Sequence, residues 1–105
     1  MKDIISRLNK VFESRVRLGV MSLLMVEEWV HYSTFREAIR MEDGTKITDG
    51  NLASHLKKLR QEAYIEEKKE FRDNKPHTTY RATPAGRKAF EDHLDALEEL
   101  IRGIE

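Results

Sequence analysis

The residues that carry the most chemical information lie on one predicted helix, from Thr48 to Ala63. Its apolar residues recur at positions i, i+4, i+7 and i+11: Leu52, Leu56, Leu59 and Ala63. At about 100° per residue they form one narrow stripe, which we expect to be buried. Thr48 is a good N-cap for this helix. The side chains that point away from the stripe are small, amide-bearing or basic: Gly50, Asn51, Ser54, Lys57, Lys58 and Gln61.

Such a face suits contacts with double-stranded DNA. The amides of Asn51 and Gln61, with the serine hydroxyl between them, can read base edges, and an amide pairs best with adenine. Lys57 and Lys58 can read guanine or clamp a phosphate. The helix N-terminus is a further phosphate site, because Gly50 lets a backbone approach closely. An ordinary solvated helix face is the alternative for the two lysines.

A β-hairpin is predicted directly after this helix. Aromatic and β-branched residues over 64–71 and 77–83 flank a polar turn over 73–76. Arg72 and Lys75 lie near its tip, where a cation gains from phosphate charge on the backbone or in the minor groove. A polar-faced helix followed by a basic-tipped hairpin is typical of a winged helix-turn-helix, whose recognition helix enters the major groove.

The other predicted elements must position this helix and hairpin. In chain order they begin with a helix over about 3–12, a helix capped by Ser14 and a short strand over 29–32. A helix opened by Ser33 or Thr34 follows, with Phe35, Ala38 and Ile39 buried, and then a turn over 41–46. After the hairpin, the last helix runs from Thr83-Pro84 to about Arg102. The predicted fold class is therefore α+β, mostly α. We expect a single domain over 1–105, with a core over 13–83 flanked by helices in segments 1–12 and 84–105.

The flanking helices carry apolar residues that the core does not require. In the last helix they are spaced by four, three, four and three residues: Phe90, Leu94, Leu97, Ile101 and Ile104. Because the core can be filled without this helix, we expect it to pack, with Ile4 and Leu8 of the first helix, against a second copy of the chain. Ordinary packing within one protomer is the alternative.

Composition narrows the classes of function. The 105 residues contain no cysteine, which excludes disulfides and thiolate metal sites. No apolar run approaches the ~20 residues of a membrane span, and no signal-peptide pattern is present, so we predict a cytoplasmic protein. The net charge is zero, yet residues 46–83 carry nine basic and six acidic groups, an excess of +3. Residues 84–105 carry three basic and six acidic groups, −3, which favours separate faces for an anionic partner and for self-association.

The sequence offers no catalytic or cofactor signature. The four histidines share no metal-ligand spacing, and no nucleophile elbow or phosphate-binding loop is present. We therefore predict no cofactor, no metal and no enzymatic activity. His55 flanks the leucine stripe, where a half-buried structural role, with its ring hydrogen-bonded to backbone, is favoured over DNA contact or pH sensing.

The combined motifs resemble a known family. Residues 12–18, 48–59, 64–65 and 75–87 are together similar to the small winged helix transcriptional regulators of the MarR-like and ArsR-like groups. The resemblance implies a recognition helix over about 48–62, a wing over about 70–78, which includes His77 and Thr78, and homodimers on pseudo-palindromic operators. Ala63 stands where the family usually has glycine, so we expect the helix to end differently here.

A different class of function remains open. The zero net charge and the acidic residues beside the wing, Glu66, Glu67 and Glu70, favour an alternative in which the basic face binds an acidic protein instead of DNA. No convergent polar cluster in the sequence points to an effector ligand.

Overall fold

The computed structural model describes residues 2–103. Its elements are α1 (Lys2–Ser6), a 3-10 helix (Lys10–Glu13), α2 (Arg15–Val26), β1 (Val30–His31), α3 (Tyr32–Ala38), α4 (Asp49–Gln61), β2 (Ile65–Arg72), β3 (Lys75–Ala82) and α5 (Pro84–Arg102). The strands form one antiparallel sheet in the order β1-β3-β2. This is the predicted winged helix fold, and the pairing of β1 with β3 adds a third strand to the hairpin. Nowhere in residues 2–103 is a helix both long and apolar enough to cross a membrane.

Side-chain caps start the three long helices where the sequence predicts. The hydroxyls of Ser14, Thr48 and Thr83 accept hydrogen bonds from backbone N–H groups three residues on. Each cap satisfies one of the donors that a helix leaves free at its first turn. Pro84 follows Thr83 at the first position of α5, where its missing N–H costs nothing.

The prediction for the first helix is wrong in its extent, because the helix does not continue through Asn9. α1 ends at Ser6, and a separate 3-10 helix begins at Lys10. The Asn9 side-chain oxygen accepts a 3.0 Å hydrogen bond from Val11 N, which starts the 3-10 helix. Its backbone N–H donates to Nδ1 of His93 at 2.9 Å, and its side-chain nitrogen donates to the Tyr64 hydroxyl at 3.0 Å. Asparagine side chains compete in this way with helical hydrogen bonds. Burial lowers the pKa of His93, which favours the neutral ring that this acceptor role needs.

One apolar core holds α2, α3, α4 and the sheet together. Phe35 and Ile39 are buried as predicted, but Ala38 is exposed. The reason is that α3 begins at Tyr32 and ends at Ala38, so its short buried face is set by Phe35 and the residue four positions on. Ala38 instead lines an open groove beside α2.

The end of α4 differs from the prediction at Ala63. This residue is exposed instead of completing the leucine stripe, and its φ is 60°. Its N–H donates to Arg60 O at 2.9 Å, and Tyr64 N donates to Leu59 O at 3.0 Å. These two bonds form a Schellman motif with Ala63 in the left-handed position that glycine usually takes. The helix therefore ends in the usual way, with alanine in a conformation that costs about 1–2 kcal/mol.

The hairpin turn is tighter than the predicted one. Its two central residues, Asp73 and Asn74, have φ values of 52° and 62°, as a two-residue type I′ turn requires. Arg72 pairs with Lys75 directly across the turn, so Lys75 and Pro76 belong to β3.

Candidate nucleic-acid interface

Helix α4 presents a polar face to solvent. Its leucines are 0 to 2% exposed and anchor it to the core: Leu52, Leu56 and Leu59. Five of the six predicted outward residues are exposed, namely Gly50, Ser54, Lys57, Lys58 and Gln61. Amide, hydroxyl and ammonium groups thus project together from one side of a helix that is fixed on its other side.

Asn51 lies at the edge of this face and is half-buried. Its backbone N–H donates to the Thr48 hydroxyl at 3.2 Å, so the exposed Thr48 is engaged as the helix cap. The Asn51 side-chain nitrogen lies 3.9 Å from the Met41 sulfur. The Asn51 amide is therefore in contact with the turn over residues 41–46.

The start of α4 is tied to α3 through a carboxylate. Asp49 accepts hydrogen bonds from the Tyr32 hydroxyl at 2.9 Å and from the Arg36 guanidinium at 2.5 Å. The bond from Tyr32, and then the bond and charge of Arg36, lower the pKa of Asp49. The carboxylate thus stays ionised, and Arg36 partly compensates its charge where the helix N-terminus would approach an anion.

His55 has the predicted half-buried position, with a different partner. Its Nδ1 lies 2.9 Å from Nη1 of Arg17, a side chain on α2, where a backbone contact was expected. Burial, and then the charge of Arg17, lower the pKa of His55, so the ring is held as a neutral acceptor. The contact braces α4 against α2.

The hairpin, which we call the wing over residues 65–82, has two different faces. Alternate side chains point to opposite sides of a sheet, and the pairs Glu67–Tyr80 and Lys69–Thr78 share the face of the buried residues. Thr78 and Lys69 line a groove of about 360 Å³ between the wing and α4, together with Arg60. Of the predicted wing residues, Thr78 is thus brought next to α4.

His77 lies on the opposite face of the wing. Its ring packs edge-on against His31, with 6.1 Å between the centroids. Arg72 and Lys75 are exposed beside the turn, and Arg72 lies 3.6 Å from Glu70. These residues are therefore placed at the tip and the outer face instead of in the groove.

Two wing residues that face the groove side were missed from the sequence. Lys69 is exposed opposite Thr78, and Phe71 is 80% exposed opposite Pro76 near the tip. The alternation of side chains along the strand could have identified both residues. The two faces can be assigned, however, only once the turn is known to consist of Asp73 and Asn74.

The acidic residues near the wing are paired within the protomer. Glu66 forms an ion pair with Arg81, and Glu70 lies 3.4 Å from Lys68. Glu67 accepts a 2.6 Å hydrogen bond from the Tyr80 hydroxyl and lies 3.5 Å from Arg60. Burial and this carboxylate raise the pKa of Tyr80, which stays a donor.

Three lysines of the candidate surface contrast with these pairs. Between residues 2 and 103 they form no ion pair: Lys57, Lys58 and Lys75. Within α4 the charges left uncompensated are therefore positive, whereas at its edges the exposed Glu62 and Asp73 also form no ion pair among the described residues.

The predicted dimerisation residues fall into two sets. Phe90 is 2% exposed and packs edge-on against Phe12, with 5.2 Å between ring centroids, so it belongs to the protomer's own core. The others on α5 are 37 to 74% exposed: Leu94, Leu97 and Ile101. Ile4 and Leu8 are half-buried. Ile104 lies outside the described residues.

Comparison with known proteins identifies the family. The profile of the winged helix DNA-binding domain matches residues 16–101. The uncharacterized protein MJ0432 of Methanocaldococcus jannaschii is 32% identical over 96 residues, which cover 91% of this chain and 98% of that one.

Solved structures share the fold. A transcriptional regulator homologue from Pyrococcus horikoshii OT3 superposes with a TM-score of 0.80 at 26% identity, over 99% of this chain and 95% of that one. A MarR-family regulator from Porphyromonas gingivalis W83, at 22% identity, has a TM-score of 0.61 over 91% of this chain and 84% of that chain, a likeness of fold alone. With its sequence match over α2 to α5 and its helix-and-wing architecture, this chain belongs to the family of winged helix DNA-binding domains.

Proposed function

We propose that this protein is a sequence-specific regulator of transcription that binds double-stranded DNA as a homodimer. Helix α4 enters the major groove, and the wing contacts the neighbouring backbone or minor groove. The observation that carries the proposal is the set of unpaired lysines beside amide and hydroxyl groups on one exposed face of α4.

The contacts divide into two kinds. Lys57, Lys58 and Lys75 supply affinity for phosphates, with Arg72 at the wing tip and the N-terminus of α4. Base readout falls to the amides and hydroxyl on the helix, Asn51, Ser54 and Gln61. The Asp49 network supports this division, because a carboxylate engaged by Tyr32 and Arg36 repels a phosphate less.

The dimer is supported by apolar side chains left exposed at one end of the protomer. Leu94, Leu97 and Ile101 project from α5, and Ile5 of the adjacent α1 is 54% exposed. Clusters of exposed large apolar residues mark interaction sites. A two-fold interface there presents two copies of α4 to half-sites about one DNA turn apart.

The experiment is fluorescence anisotropy on a labelled duplex from the region upstream of the protein's own gene. A scrambled duplex and the single strand serve as controls, at about 50–200 mM salt. Tight, steeply salt-dependent binding that prefers the upstream duplex is expected. Equal binding to all duplexes contradicts the sequence-specific role at that site, and no binding at low salt removes DNA as the partner.

A protein partner is the second candidate, and the exposed Phe71 favours it. An aromatic side chain that is 80% exposed at the wing tip suits an apolar contact in a protein interface. The pairing of the nearby glutamates weakens the argument for an acidic protein in place of DNA, because carboxylates compensated within the protomer repel phosphates less. DNA binding that depends neither on the salt concentration nor on the DNA sequence would favour this candidate.

A further inference from the structure

A second groove lies between α2 and the connection that leads from α3 into α4. Its volume is about 830 Å³, within the ~300–1,000 Å³ of ligand pockets. Its apolar lining includes Val16 and Leu23 of α2, with Ile39 and Met41 of the connection. Neither the predicted DNA surface nor the predicted dimer surface uses these residues.

Gly19 of α2 lines the groove without a side chain of its own. A glycine inside a helix is destabilising relative to alanine, so its presence calls for a physical reason. A Cβ atom here would meet only Ile39 Cγ1, at 3.9 Å, an ordinary contact. No backbone of the protomer therefore needs glycine at this position. The absence of a side chain at this position leaves space in the groove.

Two arginines and two carboxylates line the groove, and only one of each forms an ion pair within the described residues. Arg15 lies 3.3 Å from Glu42, and the Asp43 carboxylate accepts hydrogen bonds from the N–H and hydroxyl of Thr45 at 3.0 and 2.7 Å. Arg40 also lines the groove, and the described part of the chain holds no ion pair to it. The charge of Arg40 contributes to the lowered pKa of Glu37, but that carboxylate pairs with Lys46. The Arg40 guanidinium thus lies beside an apolar floor with no carboxylate of the described residues at ion-pair distance.

We propose that this groove binds a small amphipathic carboxylate. The apolar body lies on Val16, Leu23 and Ile39, and the carboxylate pairs with Arg40. Guanidinium and carboxylate match in geometry as well as in charge. An apolar surface with one polar group that fixes orientation is the usual composition of such a site.

The groove touches the predicted recognition helix through Met41. This side chain lines the groove, and its sulfur lies 3.9 Å from the Asn51 side-chain nitrogen. The Met41 backbone is also fixed, by a 2.8 Å hydrogen bond to Thr45 O. A ligand that displaces the Met41 side chain therefore removes this contact and changes the position of the Asn51 side chain. This coupling, unlike the binding itself, rests on the proposed DNA function.

Binding is tested by NMR titration of the free protein with octanoate, octanol and octylamine. Octanoate is expected to shift resonances around the groove and to bind about tenfold more weakly to Arg40→Gln. The variant Arg102→Gln, which removes an exposed arginine elsewhere, is expected to bind as the wild type does. Equal affinity for octanoate and octanol, or no loss in Arg40→Gln, would overturn the proposal.

Filling the groove gives a second test. Gly19→Leu and Ala38→Leu each place a side chain into it, so octanoate binding is expected to disappear in whichever variant keeps the wild-type fold by circular dichroism. Both positions line the groove on different elements, so a folding failure at one leaves the other informative. Retained binding in a folded variant contradicts the location.

Coupling is tested by the octanoate Kd with and without duplex. Linkage requires the duplex and octanoate to change each other's affinity by the same factor, and a change of at least about fivefold is expected. Octanoate binding with no DNA binding refutes the proposed function but supports the proposed binding site in the groove. DNA binding without octanoate binding refutes the groove, and two independent affinities refute the coupling.

Discussion

The hydroxyl of Tyr32 donates a 2.9 Å hydrogen bond to the carboxylate of Asp49. This contact joins the first residue of α3 to the first residue of α4, and Arg36 reaches the same carboxylate from the next turn of α3. The two helices are thus fixed at the end of α4 that would meet DNA.

The Tyr32–Asp49 contact predicts a specific dependence on pH. Because hydrogen bonds lower the pKa of Asp49 in the folded protein, its contribution to stability is present above its unfolded pKa of about 3.9. That contribution is lost as the pH falls through the lower folded pKa. Thermal melts of wild type and Asp49→Asn should therefore differ at neutral pH and converge in acid.

A carboxyl titration by NMR isolates the Tyr32 hydroxyl. Tyr32→Phe should raise the pKa of Asp49 towards its ordinary value, because the largest cause of the shift is removed. Ser33→Ala, an exposed change on the same helix, is the control. An Asp49 pKa that is the same in all three proteins would show that the contact is absent in solution.

The end of α4 predicts a stabilising substitution. Ala63→Gly should raise the free energy of unfolding by about 0.5–1 kcal/mol, because relief of the left-handed strain exceeds the entropy cost of glycine. Gly86→Ala is the opposite case, since its Cβ would lie 2.0 Å from Tyr64 O, and it should be strongly destabilising. Urea denaturation measures both. A loss of stability in Ala63→Gly contradicts the assigned helix end.

The exposed residues of α5 predict a separable effect on assembly. Leu97→Glu places a charge in the proposed dimer interface, so it should give monomers in sedimentation equilibrium with little change in protomer stability. Phe90→Ala should instead destabilise the protomer by about 3–5 kcal/mol, because it empties a core site. Glu98→Gln is the control. A Leu97→Glu protein that sediments like the wild type would place the interface elsewhere.

Asn51 tests the assignment of base readout. Asn51→Ala should change the order of preference among duplexes that differ at one base pair, by about 1–3 kcal/mol at the contacted position. Binding to non-specific duplex should change little, since the amide carries no charge. A competition assay with a small library of duplexes measures this. An equal loss on every sequence would make Asn51 a structural residue.

The sequence predicts those parts of the fold that depend on local patterns. The caps at Ser14, Thr48 and Thr83 and the leucine stripe of α4 are local, because each depends on residues within a few positions. The break at Asn9 is not, since its partners His93 and Tyr64 are distant in sequence. The same holds for β1, whose pairing with β3 no local pattern specifies.

The candidate site shows the same division. The outward face of α4 follows from helical periodicity, so its residues could be named from the sequence. The faces of the wing depend on strand register, so Lys69 and Phe71 were missed, and His77 lies on the face opposite Thr78. Ala63 was misjudged because a Schellman motif imposes the backbone conformation at that position despite its cost.

The salt dependence of duplex binding tests the central claim most directly. Each phosphate contact that is lost should reduce the slope of log Kd against log salt by about 0.9, so Lys57→Ala/Lys58→Ala should reduce it by about 2. The double variant Lys10→Ala/Lys88→Ala removes the same charge from exposed positions away from α4. A reduced slope in the first variant and a wild-type slope in the second support α4 as the DNA-contacting helix. The same slope in both variants would contradict it.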